Sequence, residues 1–284
     1  MSVIHDSLRK LEQTEPTPLP QVWASAVAMN EQAAAVRTQH TALKDRSAVA
    51  QKAPDTGVAA TIECRSVSWT LQSSAMLDFE SDSASRATEE FRILRSPLYQ
   101  ARSAQSLKSL LITSAVTGEG KSFVAANLWQ VLSLHRDRRV LLMDGDLRTP
   151  RLHKFLGTGL TPGLSECLSG EADLPKALQK GEAPNSFFLP AGTPQTRSSD
   201  LLSNGRLGPF LQRLVDRFDW VVIDAPAAVE TSDACSLAET VEGVLVVVRA
   251  KKTPSGLVQK AVDRFAEDRI LGVILNEVAA TADK

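Results

Sequence analysis

The fourteen residues Ser109-Leu-Leu-Ile-Thr-Ser-Ala-Val-Thr-Gly-Glu-Gly-Lys-Ser122 constrain this chain more than any other stretch. An apolar run of strand character leads into two glycines, Gly118 and Gly120. The helical pattern Phe123-Val-Ala-Ala-Asn-Leu-Trp129 follows. Strand, glycine-rich loop and helix in that order make a phosphate-binding loop, because successive backbone N–H groups point inward and a helix N-terminus adds partial positive charge. Lys121 is then placed to reach β- and γ-phosphates, and Ser122 to offer its hydroxyl to Mg²⁺. The pattern's first glycine is Ala115 here, which is acceptable where that residue needs no positive φ. A plain tight turn before a helix is the alternative, and Gly-Lys-Ser after an apolar strand argues against it.

The rest of the chain must build a scaffold for that loop. Its 284 residues have room for one large domain or two small ones, and 43% hydrophobic and 23% charged residues are ordinary for a globular protein. A net charge of −1 with no dense basic run gives no nucleic-acid surface. Cys64, Cys167 and Cys235 are scattered, which points to a reducing cytoplasm and to neither a disulfide frame nor a zinc site. The most apolar run, Val244-Leu-Val-Val-Val248, is too short to span a bilayer, so any membrane association goes through a partner or an amphipathic segment.

Residues 1–13 place Ile4, Leu8 and Leu11 on one face of a short amphipathic helix, which either packs on its own domain or docks on a partner. Pro16, Pro18 and Pro20 end it. Residues 14–84 read as a linker, largely irregular, with an alanine-rich helix plausible over 24–37. Within it, residues 61–79 carry Ile62, Val67, Trp69, Leu71, Leu77 and Phe79, and either add an edge strand or remain extended.

From Ser85 to the end the pattern is that of one α/β domain. A helix over 86–102 has Phe91, Leu94 and Leu98 on one face, with Pro97 limiting its regularity. Strands are expected at 108–114, 139–144, 186–190, 219–224, 243–248 and 270–275. Helices are expected at 121–134, 164–169, 172–180, 206–217, 232–240 and 255–267. Apolar strands without polar alternation, separated by helices, imply a mostly parallel sheet covered on both faces. Ligands of such sheets bind at the carboxyl ends of the strands, where the loop lies.

Two more strands end in acids. Val140-Leu-Leu-Met-Asp144-Gly-Asp146 and Trp220-Val-Val-Ile-Asp224-Ala-Pro226 carry three carboxylates to the same end of the sheet as Lys121 and Ser122. Singly, each could cap the next helix. Together they suit phosphoryl transfer, in which Mg²⁺ takes oxygen ligands and neutralises developing charge.

From about Glu89 to Val278 the chain resembles the bacterial tyrosine kinases (BY-kinases) of capsule and exopolysaccharide export, P-loop ATPases related to MinD and ParA. The Walker A loop resembles Thr113-Ser-Ala-x-x-Gly-Glu-Gly-Lys-Ser122 followed by Asn127-Leu128. Walker A′ resembles Asp144-x-Asp146-x-Arg148-x-Pro150-x-Leu152-His153, and Walker B resembles Val221-Val-Ile-Asp224-Ala-Pro226 with Asp233-Ala234. Gly163-Leu-Ser-Glu-Cys-Leu-Ser-Gly170 and the closing strand Leu271–Asn276 match further segments. The resemblance implies that Thr117, Gly118, Glu119, Gly120, Lys121, Ser122, Phe123 and Asn276 line an ATP site, with Asn276 toward the adenine. Ser122, Asp146 and Asp224 would organise Mg²⁺, and Asp144 would orient or deprotonate the nucleophile. Glu89, Arg92 and Arg95 resemble the Glu-x-Tyr-Arg-x-x-Arg segment through which such kinases assemble into rings, an exposed helix with ion pairs being the alternative.

The departures are specific. Tyr99 is the only tyrosine, whereas these kinases usually end in a tyrosine cluster. Walker B reads Asp-Ala-Pro-Ala, and the segment 192–202 has Arg197 and Ser198 where the family has Asn-Pro. MinD and ParA proteins carry a dimer-crossing lysine at the position of Val116. The N-terminus, Met-Ser-x-Ile-x-x-x-Leu-x-Lys-x-Glu, resembles kinase-like proteins of exosortase-linked exopolysaccharide clusters. The expectation is an ATP-hydrolysing, oligomeric, cytoplasmic regulator of exopolysaccharide chain length or export. It would be held peripherally at the inner membrane by the cytoplasmic tail of a polysaccharide co-polymerase. Two alternatives are a positioning ATPase and a non-catalytic assembly protein whose nucleotide sets its oligomeric state.

Overall fold

The computed structural model describes residues 62–79, 85–105 and 107–278. The helices expected over 1–13 and 24–37, and the linker between and after them as far as residue 61, lie outside the described residues.

The elements run β1 (Arg65–Ser66), α1 (Arg86–Gln105), β2 (Ser109–Ser114), α2 (Lys121–Ser133) and β3 (Val140–Asp144). Three short helices follow, α3 (Leu152–Phe155), α4 (Leu164–Ser169) and α5 (Leu174–Ala177), and then β4 (Gln179–Lys180) and β5 (Ser186–Leu189). The chain continues through α6 (Ser198–Leu202), α7 (Leu207–Val215), β6 (Trp220–Asp224), α8 (Asp233–Ala238), β7 (Gly243–Arg249), α9 (Ser255–Val262), a 3₁₀ turn (Glu267–Arg269) and β8 (Ile270–Asn276).

The eight strands form one sheet in the order β1-β4-β5-β3-β6-β2-β7-β8. Every pairing is parallel except β4 with β5. Every residue of β2, β3 and β6 is buried, as continuous apolar runs require in a doubly covered sheet. Alternate residues serve opposite faces. Leu111, Leu141, Val221, Ile223 and Val246 pack under α4, α7, α8 and α9. Leu110, Ile112, Leu142, Val222 and Val247 pack under α1 and α2. Pro97 lies inside α1, which nevertheless runs unbroken over its 20 residues.

The helix expected over 172–180 is shorter. It stops at Ala177, and Gln179 and Lys180 pair with β5 on one side and β1 on the other. The buried Gln179 side chain accepts from the Thr158 hydroxyl at 2.7 Å and donates to the Gly159 carbonyl at 3.1 Å. These long-range partners override local helix preference.

Residues 62–79 resolve the open choice between an edge strand and an extended segment by doing both. Arg65 and Ser66 join the sheet, and the remainder straps across α2. Trp69 packs edge-on to Trp129 with centroids 5.5 Å apart. Buried Asn127 then ties the strap to the helix, its amide donating to Ala75 O at 3.0 Å and its oxygen accepting from Leu77 N at 2.7 Å. Met76 and Phe79 enter the core, and Phe79 meets Phe91 of α1 at 6.2 Å. The packed unit therefore begins well before the boundary expected near Ser85.

Candidate functional site

Parallel pairing brings β2, β3 and β6 to a common edge, with Ile112 opposite Asp224 and Asp144 opposite Asp224. The loop that leaves β2 turns through Gly118 at φ 92° and Gly120 at φ 91°, the left-handed region that favours glycine. A Cβ on Gly120 would also sit 2.0 Å from Asn276 Nδ2, so a larger residue would displace that side chain as well as strain the backbone. Gly120 caps α2, whose first residues are Lys121 and Ser122. This is the strand, loop and helix order expected from the sequence, with the open N-terminus of α2 aimed at the strand ends.

Lys121 is the site's cation. Its ammonium lies 3.4 Å from Asp146 Oδ2, with both side chains nearly buried. Burial alone would lower its pKa, but Asp224, Asp146 and Asp144 outweigh that and hold it above the ordinary value. Asp144 is fully buried. Its oxygens accept from Asp146 N at 3.2 Å, Arg151 N at 3.2 Å and Leu152 N at 3.1 Å. Burial, and then the charge of Asp224, push it well above the usual carboxylate range, with the Leu152 and Asp146 N–H bonds opposing. Asp224 is pushed up to about 6 by burial, against the pull of Lys121 and Ser122. The Ser122 hydroxyl lies beside it, but no hydrogen bond of ordinary geometry reaches either of its oxygens among the described residues.

Those two orphaned, buried oxygens are the observation that fits a divalent cation. Among the described residues no three His, Cys, Asp or Glu side chains form a ready metal cage. That is how Mg²⁺ is commonly held at phosphate sites, by one or two protein oxygens with phosphate and water completing the shell. Asp224, Asp146 and the buried Ser122 are the residues that would contribute. The cation would neutralise charge on phosphates bound there, and Asp144 would be placed to hold or release a proton beside them.

Not every expected ligand contact has its side chain free. Glu119 is 1% exposed and turns its carboxylate inward, accepting from Val116 N at 2.8 Å, Arg249 N at 3.2 Å and the Thr253 hydroxyl. It braces the loop, which leaves its backbone amide for an anion. Thr117 donates both its N–H and its hydroxyl to Glu230, each at 2.8 Å. Phe123 packs edge-on to Phe91 at 6.1 Å. Asn276 donates to the Glu119 carbonyl at 2.9 Å, which sets it against the loop.

Around the carboxylates, Arg148 turns away from Lys121 toward Asp233, at 3.1 Å, and Ser199 Oγ, at 3.1 Å. Asp233 also accepts from the Ser198 and Ser199 hydroxyls. Burial would raise its pKa, but these three partners bring it below its ordinary value. The segment with Arg197 and Ser198 is therefore docked through its serines. On α1, Arg92 pairs with Glu89 and donates to Phe79 O at 3.0 Å, and Arg95 donates to Val131 O at 3.2 Å. All three expected interface residues lie on that helix, and both arginines also make bonds within the chain.

Fold and loop geometry together define a P-loop nucleotide-binding protein, and comparison with known proteins agrees. Residues 110–284 match the CobQ/CobB/MinD/ParA nucleotide binding domain. The chain is 30% identical to tyrosine-protein kinase YwqD of Bacillus subtilis over 66% of its own length and 80% of that protein. It is 32% identical to the succinoglycan biosynthesis transport protein ExoP of Rhizobium meliloti over 66% of its own length, but it spans only 25% of that larger relative. The kinase domain of Escherichia coli tyrosine kinase ETK superposes with a TM-score of 0.64 at 30% identity, over 69% of this chain and 78% of that one. The chain belongs to the CobQ/CobB/MinD/ParA family of nucleotide-binding domains and, within it, to the bacterial tyrosine kinases.

Proposed function

We propose that the chain binds ATP with Mg²⁺ and hydrolyses it, acting as a BY-kinase-type regulator of exopolysaccharide chain length or export. The observation that carries this reading is the buried Lys121 set among Asp144, Asp146 and Asp224 at the N-terminus of α2. The naming of ExoP as a succinoglycan biosynthesis transport protein supports the polysaccharide context. No helix of the described residues is long and apolar enough to cross a membrane. A membrane polysaccharide co-polymerase whose cytoplasmic tail stimulates turnover is the partner this reading calls for, with the chain peripheral at the inner membrane. Glu89, Arg92 and Arg95 would serve a homo-oligomer by exchanging their intrachain partners for a neighbour's. Val116, standing where positioning ATPases carry their dimer-crossing lysine, weighs against that alternative.

Release of ADP from ATP and Mg²⁺, measured with and without a co-polymerase tail peptide, tests the proposal. Binding without any turnover under either condition would leave the non-catalytic assembly reading in its place.

A further inference from the structure

The connection from β6 to α8 runs alongside the end of β2 and on into the phosphate loop, bond by bond. Ala225 N donates to Ile112 O at 2.9 Å, Ala228 N to Ser114 O at 2.7 Å and Val229 N to Ala115 O at 3.2 Å. Thr113 Oγ1 adds a bond to Pro226 O at 2.8 Å. From outside, the Arg264 guanidinium donates to the carbonyls of Ala228, at 2.6 Å, and Val229, at 3.2 Å. Glu230 is the last tooth of this zip. Its Oε1 accepts the Thr117 N–H and its Oε2 the Thr117 hydroxyl, each at 2.8 Å.

The zip matters most at its end. The chain through Ala115 is buried, whereas Thr117 and Gly118 are exposed, and an added Cβ on Gly118 would meet nothing within 4 Å. Packing does not hold the loop's tip. Two carboxylates do, Glu119 from inside through Val116 N and Glu230 from outside through Thr117. The outer carboxylate belongs to the segment that begins at Asp224 and ends at Asp233, the partner of Arg148. A bidentate, charge-assisted contact fixes direction as well as distance.

We propose that Glu230 is a positioning residue for nucleotide turnover. Its carboxylate fixes the exposed tip of the phosphate loop to the segment carrying Asp224, so that loop and carboxylate pair keep one relative geometry while phosphates are bound. The inference rests on the nucleotide reading above. Misplacing reacting groups costs more in turnover than in ground-state binding.

The test uses the full chain with ATP and Mg²⁺ as reactants and ADP as the binding probe, comparing Glu230→Ala, Glu230→Gln, Thr117→Val and the double variant Glu230→Ala/Thr117→Val. Glu230→Ala should lower kcat about tenfold and change ADP affinity much less, with an unaltered unfolding midpoint because the contact is exposed. Glu230→Gln should restore most of the rate, since its amide oxygen accepts the N–H and its amide nitrogen donates to the Thr117 hydroxyl. The double variant should match Glu230→Ala, as expected for two groups in one contact. Wild-type turnover in Glu230→Ala would overturn the proposal, as would equal losses in the Ala and Gln variants. Tighter ADP binding in both would show that the charge repels phosphate and would overturn it too. A wild type that neither binds nor hydrolyses nucleotide would remove the functional reading itself, an outcome distinct from all of these.

Discussion

Asp144 and Asp224 are register partners on adjacent parallel strands, each the last residue of its strand and each at most 1% exposed. Two carboxylates so placed disfavour each other's ionisation, and burial adds to the effect. Lys121 supplies one positive charge against three acids, so ionisation of all three would leave an excess of negative charge that a divalent cation would offset.

Replacing Lys121 tests the site most directly. Lys121→Met removes a charge-assisted contact to phosphate, worth roughly 1.5–3 kcal/mol of nucleotide affinity, and the loss in the transition state is larger. The fold should survive, because the raised pKa values of Asp144 and Asp224 let them take up protons when their partner is lost. Calorimetric binding of ADP with Mg²⁺, together with the ATPase rate, measures this. Undiminished hydrolysis would dispose of the nucleotide site.

The carboxylate pair also predicts a pH dependence with a definite sign. Asp224 titrates near 3.8 when unperturbed and at about 6 in the fold, so folding favours its protonated form. Its contribution to stability is fully present below about pH 4 and is lost as pH rises through about 6, a change on the order of 3 kcal/mol at most. Asp233 and Glu166 are lowered and act in the opposite direction, so the comparison must be with a variant. Asp224→Asn should be more stable than wild type at neutral pH, with the difference vanishing toward pH 4, and should lose turnover. Parallel stability curves for the two proteins across that window would refute the assignment.

Asn127 gives a test of the strap. Its buried side chain satisfies Ala75 O, Leu77 N and Phe123 O at once. Asn127→Leu keeps the size but strands Ala75 O and Leu77 N, at a cost of about 1–3 kcal/mol. Limited proteolysis should cut faster near residues 72–79 in the variant, since that stretch depends on this tie. An unchanged melting temperature together with unchanged cleavage would mean the strap is held by Trp69 and Phe79 alone.

Local pattern and long-range placement divide what was legible in the sequence. Strands β2, β3, β6, β7 and β8 appear where apolar runs put them, and the three acids meet because parallel strands end together. The place of Lys121 at the N-terminus of α2 could be read from the loop alone. Glu119 could not, because its carboxylate is oriented by Arg249 and Thr253, which lie far along the chain. Strands β1 and β4 are two residues long and exist only through each other and β5, so no periodicity marks them. Glu230 was missed for a related reason. Its position six residues beyond Asp224 was the available signal, and only the bonded zip to Thr117 gives it meaning.

The phosphate acceptor is the remaining question, and Tyr99 is the one tyrosine that could answer it within this chain. Its ring packs edge-on to Trp220 at 5.7 Å and to His135 at 5.2 Å. Its hydroxyl is buried against the Trp220 indole N–H, and burial raises its pKa against that neighbour and the nearby Arg95 and Arg138 guanidinia. A kinase needs an acceptor segment that can enter its site, whereas phosphate on Tyr99 would force charge into this aromatic cluster beneath α1. ATP hydrolysis with no phosphotyrosine on the chain is therefore expected, any kinase activity being directed at another protein. Tyr99→Phe should leave hydrolysis intact and shift stability by less than about 1 kcal/mol, because the hydroxyl makes at most one weak bond, to Trp220. Mass spectrometry after incubation with ATP and Mg²⁺ decides the matter. Stoichiometric phosphate on Tyr99 would restore autophosphorylation and would require α1 to detach from Trp220.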